Sequence, residues 1–183
     1  TRIEQAMKTD FGEKVTAENA WCEYPRPQMT RPGWTCLNGL WDYQVTAVTN
    51  TSGRPKEWAG KILVPFVPES ALSGVGRLIE KDEMLWYTRK ITCTPKPGER
   101  TLLHFGGVDM RTQVFIGHWE VTDLPHEGGL TPFSVDITDF IVPGENELTV
   151  CVWDPTLGYV ASAGKQTFQP NGCFYTRSSG IWQ

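Results

Sequence analysis

The chain has 183 residues and a mass of 20.6 kDa, enough for one domain that buries roughly 70% of its unfolded surface without a disulfide or metal. Hydrophobic residues make up 39% and charged residues 21%, a globular rather than disordered composition. Lys plus Arg is 17 against 21 Asp plus Glu, a formal charge of −4. That balance argues against nucleic acid and membrane partners, since both reward a basic face. The longest apolar stretch, Ile62 to Val67, is short and contains Pro65, so no segment is expected to cross a bilayer. Thr1-Arg2-Ile3-Glu4 does not look like a signal peptide. The compartment stays open, with a periplasmic or secreted setting favoured only if a leader has been removed.

Thr1 to Ala20 is polar with weak periodicity, and Tyr24-Pro25-Arg26-Pro27-Gln28 follows. Closely spaced prolines enforce an extended path poor in backbone donors. Residues 1–30 are therefore expected to form an extended arm packed on a domain spanning 31–183. From Leu40 the pattern is β. Trp41, Tyr43, Val45 and Ala47 alternate with polar residues, as do Leu148, Val150 and Val152 with Thr149 and Cys151, the period of a sheet with one wet face. Lys61 to Phe66, Leu85 to Thr94, Thr101 to Phe105 and Val114 to Ile116 are further β-rich runs, some apolar on both faces as inner strands are. Turn clusters such as Pro95-Lys96-Pro97-Gly98 and Pro143-Gly144-Glu145-Asn146 separate them. About eight short strands with no helical stripe and no βαβ rhythm predict an all-β antiparallel β-sandwich or jelly roll.

The five cysteines include no C-x-x-C pair. Cys93 and Cys151 lie in apolar runs and are expected to be buried thiols. Cys22 and Cys36 could pair in an oxidising compartment, which sequence alone does not decide. His104, His118 and His126 offer no zinc spacing, so neither a metal nor another cofactor is expected.

No catalytic motif survives inspection. Ala71 stands where G-x-S-x-G needs its first glycine, and Ile79 ends the start made by Gly74-Val75-Gly76. His104 is expected to be structural. Glu145, Glu147 and Asp154 lie near one strand, but a working glycosidase pair must converge from separate elements with one member buried, and no such pair is legible. Eight tryptophans are a stronger signal, because indole suits both a core and the face of a sugar ring. Trp41 and Trp86 are expected in the core; Trp58 and Trp119, bordering turns, are candidates for exposed contacts. Asn50-Thr51-Ser52 is a glycosylation sequon in form, read here as a polar turn.

An ordered series of segments runs through the chain: Leu37-Asn38-Gly39-Leu40-Trp41-Asp42-Tyr43, Val64-Pro65-Phe66-Val67-Pro68-Glu69-Ser70, Trp86-Tyr87-Thr88-Arg89, Leu103-His104-Phe105-Gly106-Gly107-Val108-Asp109, His126-Glu127-Gly128-Gly129-Leu130-Thr131-Pro132-Phe133, Asp136-Ile137-Thr138 and Ser179-Gly180-Ile181-Trp182-Gln183. Over residues 24–183 this resembles the N-terminal sugar-binding domain of glycoside hydrolase family 2, the β-galactosidase, β-glucuronidase and β-mannosidase group. The resemblance implies a jelly roll of the galactose-binding-domain type. It also implies downstream partners in the same polypeptide, an immunoglobulin-like domain and a barrel carrying the glutamates of a retaining mechanism. On that reading the chain is a domain of a larger glycosidase, has no catalytic residues of its own and is inactive alone.

The resemblance further implies that the loop Pro65 to Gly76 reaches a terminal-sugar pocket, making Glu69 and Ser70 the first contact candidates. A carboxylate can accept two sugar hydroxyls at once; the competing reading is that Glu69 caps a turn. The family's contact Asp, six residues before the glycine of the last motif, is replaced by Phe174, so no metal site is carried over. Tyr175 and Arg177 are the candidate substitutes. Asp109 is expected to stabilise the turn after Gly106-Gly107, and Gly117-His118 stands where the family has an Asn-Gly turn. Two alternatives compete with the family reading, an autonomous lectin-like carbohydrate-binding module and a purely structural buttress. A C-terminal Ile181-Trp182 left exposed is expected to favour a domain of a longer protein over the lectin.

Overall fold

The computed structural model describes residues 8–50, 53–159 and 162–183. Thr51 and Ser52 of the sequon, and the first seven residues of the arm, lie outside them. The β-strands are β1 (Gly39–Ala47), β2 (Gly60–Val64), β3 (Glu83–Cys93), β4 (Leu102–Phe105), β5 (Val108–Asp109), β6 (Arg111–Ile116), β7 (Trp119–Glu120), β8 (His126–Glu127), β9 (Phe133–Asp136), β10 (Gly144–Trp153), β11 (Gln166–Thr167), β12 (Tyr175–Thr176) and β13 (Gly180–Ile181). The largest sheet runs β2-β1-β3-β10-β6-β7, with β8 also on β6, and every pairing in it is antiparallel. The pairs β4–β9 and β5–β13 are antiparallel as well, whereas the small pair β11–β12 is parallel. The architecture is the antiparallel all-β sandwich that the alternation predicts.

Alternation decides which side chains face the core. Along β3, Leu85, Tyr87 and Ile91 point inward, and register sets Tyr87 opposite Val150 of β10, which sits opposite Val114 of β6. Leu103, Phe105 and Val135 of β4–β9, with Val108 and Ile181 of β5–β13, complete the same core. Each large side chain so buried contributes roughly 1.5–3 kcal/mol. Trp41 lies in this core as expected, its indole N–H donating to Leu37 O at 2.8 Å.

The other face of the large sheet is wet at one end, where Lys90, Thr92, Glu145 and Glu147 are exposed, and covered at the other. Trp86, Thr88, Thr149 and Cys151 are all buried there. The reason is the connection between β1 and β2. From it Arg54 reaches across the sheet, stacking 5.2 Å above the Phe115 ring and donating to Gly117 O, while Glu57 O accepts from Gln44. Under this cover Trp86 donates to Thr46 Oγ1 at 3.0 Å, and Thr88 donates to Leu148 O at 3.0 Å. Burial pushes the Cys151 thiol well up.

The arm is not extended throughout. Gly12–Lys14 and Pro27–Met29 each form a single 3-10 turn; Pro27 starts the second, where its missing N–H costs nothing. Ala20 is fully buried, and Asn38 donates to Trp21 O at 2.9 Å.

Candidate functional site

At one end of the sandwich the loop after β2, the exit of β10 and the segment carrying β11–β13 meet. The loop is rigid for local reasons. Ser70 caps the 3-10 turn Ala71–Ser73 by accepting from Leu72 N at 3.1 Å, and Gly74, at φ 79°, closes it. The buried Ser73 hydroxyl donates to Ser70 O at 2.7 Å.

Glu69 does not face solvent. It is 6% exposed, and its two oxygens accept from Ile79 N at 3.4 Å and Ser179 N at 3.1 Å. Burial outweighs these donors and lifts its carboxyl to about 7. It ties two distant segments together. Asp154, at the exit of β10, reaches the same point from the other side, accepting from Ser179 Oγ at 2.9 Å and Thr156 N at 2.7 Å. Its carboxyl is raised, again mainly by burial. Two buried carboxylates from separate elements therefore do converge, on Ser179, contrary to the sequence expectation. Spacing missed the pair because 85 residues of chain separate Glu69 from Asp154. Each of their oxygens accepts a protein donor, so the pair joins the loop after β2 and the exit of β10 to the 177–179 segment.

Arg177 is 3% exposed. Its guanidinium donates to Ile79 O at 2.9 Å and Glu80 Oε2 at 2.7 Å and lies 4.8 Å over the Phe168 ring. Tyr175, by contrast, is 61% exposed, with Lys165 Nζ 6.0 Å from its ring, and the neighbouring Phe174 is half exposed. The four candidates therefore split into two interior ties, Glu69 and Arg177, one cap, Ser70, and one outward aromatic, Tyr175.

Asp109 does not serve the Gly106-Gly107 turn. Its carboxylate accepts from Gln166 Nε2 at 3.4 Å and packs so closely on Gly129 that a side chain there would have to displace it. Burial and the neighbouring Asp154 raise it to about 6. The end of the chain is also anchored. Ile181 is buried, paired with Val108 and donating its N–H to the Tyr87 hydroxyl at 3.2 Å. Trp182 is partly exposed and donates to Gly129 O at 2.7 Å. The expected exposed Ile-Trp pair is thus half wrong, because β5 buries the isoleucine.

His104 is exposed and paired with Ser134 Oγ at 2.6 Å. Trp119 is exposed, as expected, and rests on His118, whereas Trp58 is half-buried. A cleft of about 420 Å3 between the 120–126 segment and β9 includes none of the four candidates in its lining. Among the described residues no group of three His, Cys, Asp or Glu side chains could hold a metal ion, and no helix is long and apolar enough to cross a membrane.

No family model matches the chain. A β-glucuronidase from Paenibacillus borealis is 28% identical over 137 residues, covering 70% of this chain and 22% of that protein. A solved β-glucuronidase from Faecalibacterium prausnitzii is 28% identical over 64% of this chain and 20% of its own, with a TM-score of 0.51. A glycosyl hydrolase family 2 member from Bacteroides cellulosilyticus, at 19% identity and a TM-score of 0.50 over 79% of the chain, shares the fold. The chain spans about a fifth of the length of these relatives. The resemblance legible in the sequence therefore stands: in sequence and fold the relatives of this chain are family 2 glycosidases, and it corresponds to part of them.

Proposed function

We propose that the chain is the non-catalytic N-terminal jelly-roll domain of a retaining family 2 β-glycosidase, and that its end bearing Ser70 and Tyr175 helps shape the terminal-sugar pocket of a downstream barrel. The observation that carries the reading is the 28% identity to β-glucuronidases over a segment amounting to about a fifth of their length. It favours a β-glucuronide over a galactoside or mannoside as the substrate of the whole polypeptide.

In this reading the four residues work at different depths. Tyr175 offers an exposed ring to a sugar face. The Ser70 oxygen already accepts from Leu72 N, which leaves its proton free for a sugar hydroxyl. Glu69 and Arg177 are positioning residues that hold the 65–80 loop against the 175–179 segment, so both surfaces keep their relative placement.

The test is to express the whole polypeptide that carries this sequence, beside the 183-residue chain, and assay aryl β-glucuronide, β-galactoside and β-mannoside. Hydrolysis of the glucuronide by the long form alone, with KM raised several-fold by Tyr175→Ala and kcat little changed, is the expected result. Hydrolysis by the short chain, or tight binding of a free monosaccharide to it, would overturn the reading and favour a lectin-like module. An unchanged KM would favour the buttress.

A further inference from the structure

We infer that Cys22 and Cys36 are a redox modification site, closing an intramolecular disulfide across the arm when a low-molecular-weight disulfide is available.

The two thiols are both free and partly accessible. Their surroundings bring them together. Cys22 Sγ lies 3.7 Å from Ala20 O and Cys36 Sγ lies 3.9 Å from Trp21 O, so both sulfurs rest on carbonyls of adjacent residues. Asn38 secures the far side, donating its backbone N–H to Cys36 Sγ at 3.4 Å and its side-chain amide to Trp21 O at 2.9 Å. One step further into the loop, Tyr24 meets Trp34 edge-on at 4.8 Å. The approach of Cys36 to the backbone beside Cys22 and the contact of Tyr24 with Trp34 keep the same antiparallel register across one loop, so the fold brings these cysteines near each other before any bond forms.

The local backbone allows the last step. Residues 20–24 and 34–38 carry no strand assignment, so drawing the sulfurs in to a bond of ~2.05 Å breaks no ladder. Burial first, then Cys36 and Glu23, raise the Cys22 thiol; the β3 residue Arg89, donating to Leu37 O at 2.6 Å, is a nearby cation that offsets this only in part, so the exchange is favoured by alkaline pH. In the reaction one thiolate of the pair attacks oxidised glutathione, forming a mixed disulfide and releasing one glutathione thiolate. The second cysteine's thiolate then attacks the protein sulfur of that mixed disulfide and releases the other. The protein loses two electrons and two protons, and glutathione disulfide gains them as two thiols. The product pins the loop that crosses Tyr24-Pro25-Arg26-Pro27 onto the start of β1.

A glutamate-specific protease tests this directly, because Glu23 lies between the cysteines and no glutamate falls between Tyr24 and Lys56. The folded chain is incubated with oxidised glutathione, free thiols are alkylated, and the digest is analysed by mass with and without reduction. The expected result is fragment 19–23 joined to fragment 24–57, separated only by reductant, still formed in Cys173→Ser and lost in Cys22→Ser. Release of fragment 19–23 without reductant, whether alkylated or carrying glutathione, would overturn the inference. So would its linkage to a fragment bearing Cys93, Cys151 or Cys173.

Discussion

Glu69 accepts the backbone N–H of Ser179 at 3.1 Å across 110 residues of chain. That bond joins the loop after β2 to the residue just before β13, and both carboxylates around Ser179 are held above their ordinary values by burial.

The pH dependence of stability follows from this. A carboxyl whose folded value is raised from 4.5 to about 7 binds its proton more tightly folded than unfolded. Its contribution is fully present below the unfolded value and is lost as pH rises through 7, an effect of roughly 3 kcal/mol. Asp109, raised to about 6, acts in the same direction. Melting temperature is expected to fall between pH 5 and pH 8, and Glu69→Gln to flatten the fall. Melting curves across that range check it; a wild-type protein most stable at pH 8 would refute it.

Ser179→Ala removes the hydroxyl that donates to Asp154 at 2.9 Å but keeps the N–H that serves Glu69. Asp154 is then a buried carboxylate short of one donor, which costs about 1–3 kcal/mol. Urea denaturation at neutral pH measures it, and the loss should shrink in acid as Asp154 takes up a proton.

Gly180 is left-handed, at φ 84°, and its missing side chain is the space occupied by the Tyr87 hydroxyl. Gly180→Ala is expected to destabilise by more than about 2 kcal/mol, through overpacking and backbone strain together. Tyr87→Phe should relieve part of that loss in the double variant, which a double-mutant cycle in urea would measure.

Arg54→Ala removes the guanidinium stacked over Phe115 from the cover of the large sheet. The expected cost in stability is small, about 1 kcal/mol. The sharper readout is the buried Cys151, whose alkylation in the native protein should accelerate several-fold while that of the exposed Cys173 stays constant.

The strands were legible because period-2 alternation is a local property: Trp41, Tyr43 and Val45, or Leu148, Val150 and Val152, announce their inner face without reference to any neighbour. Turn residues marked most of the breaks for the same reason. The resemblance to family 2 glycosidases was legible in seven short segments taken together rather than in any single motif. What each site residue does was not, because Glu69 and Arg177 look like surface groups until segments about 100 residues apart close over them. Tyr175, two residues before Arg177, stays outside.

Sequence by itself determined the all-β class, the inward faces of the main strands and the kinship to family 2 glycosidases. Only the tertiary structure decided that part of the outer face of the large sheet is covered, that Asp154 and Glu69 share Ser179, that Ile181 is buried, and that Cys36 lies against the backbone beside Cys22. Each of these depends on two segments meeting in space, and burial, hydrogen-bond satisfaction and raised carboxyl values are properties of that meeting rather than of either segment alone.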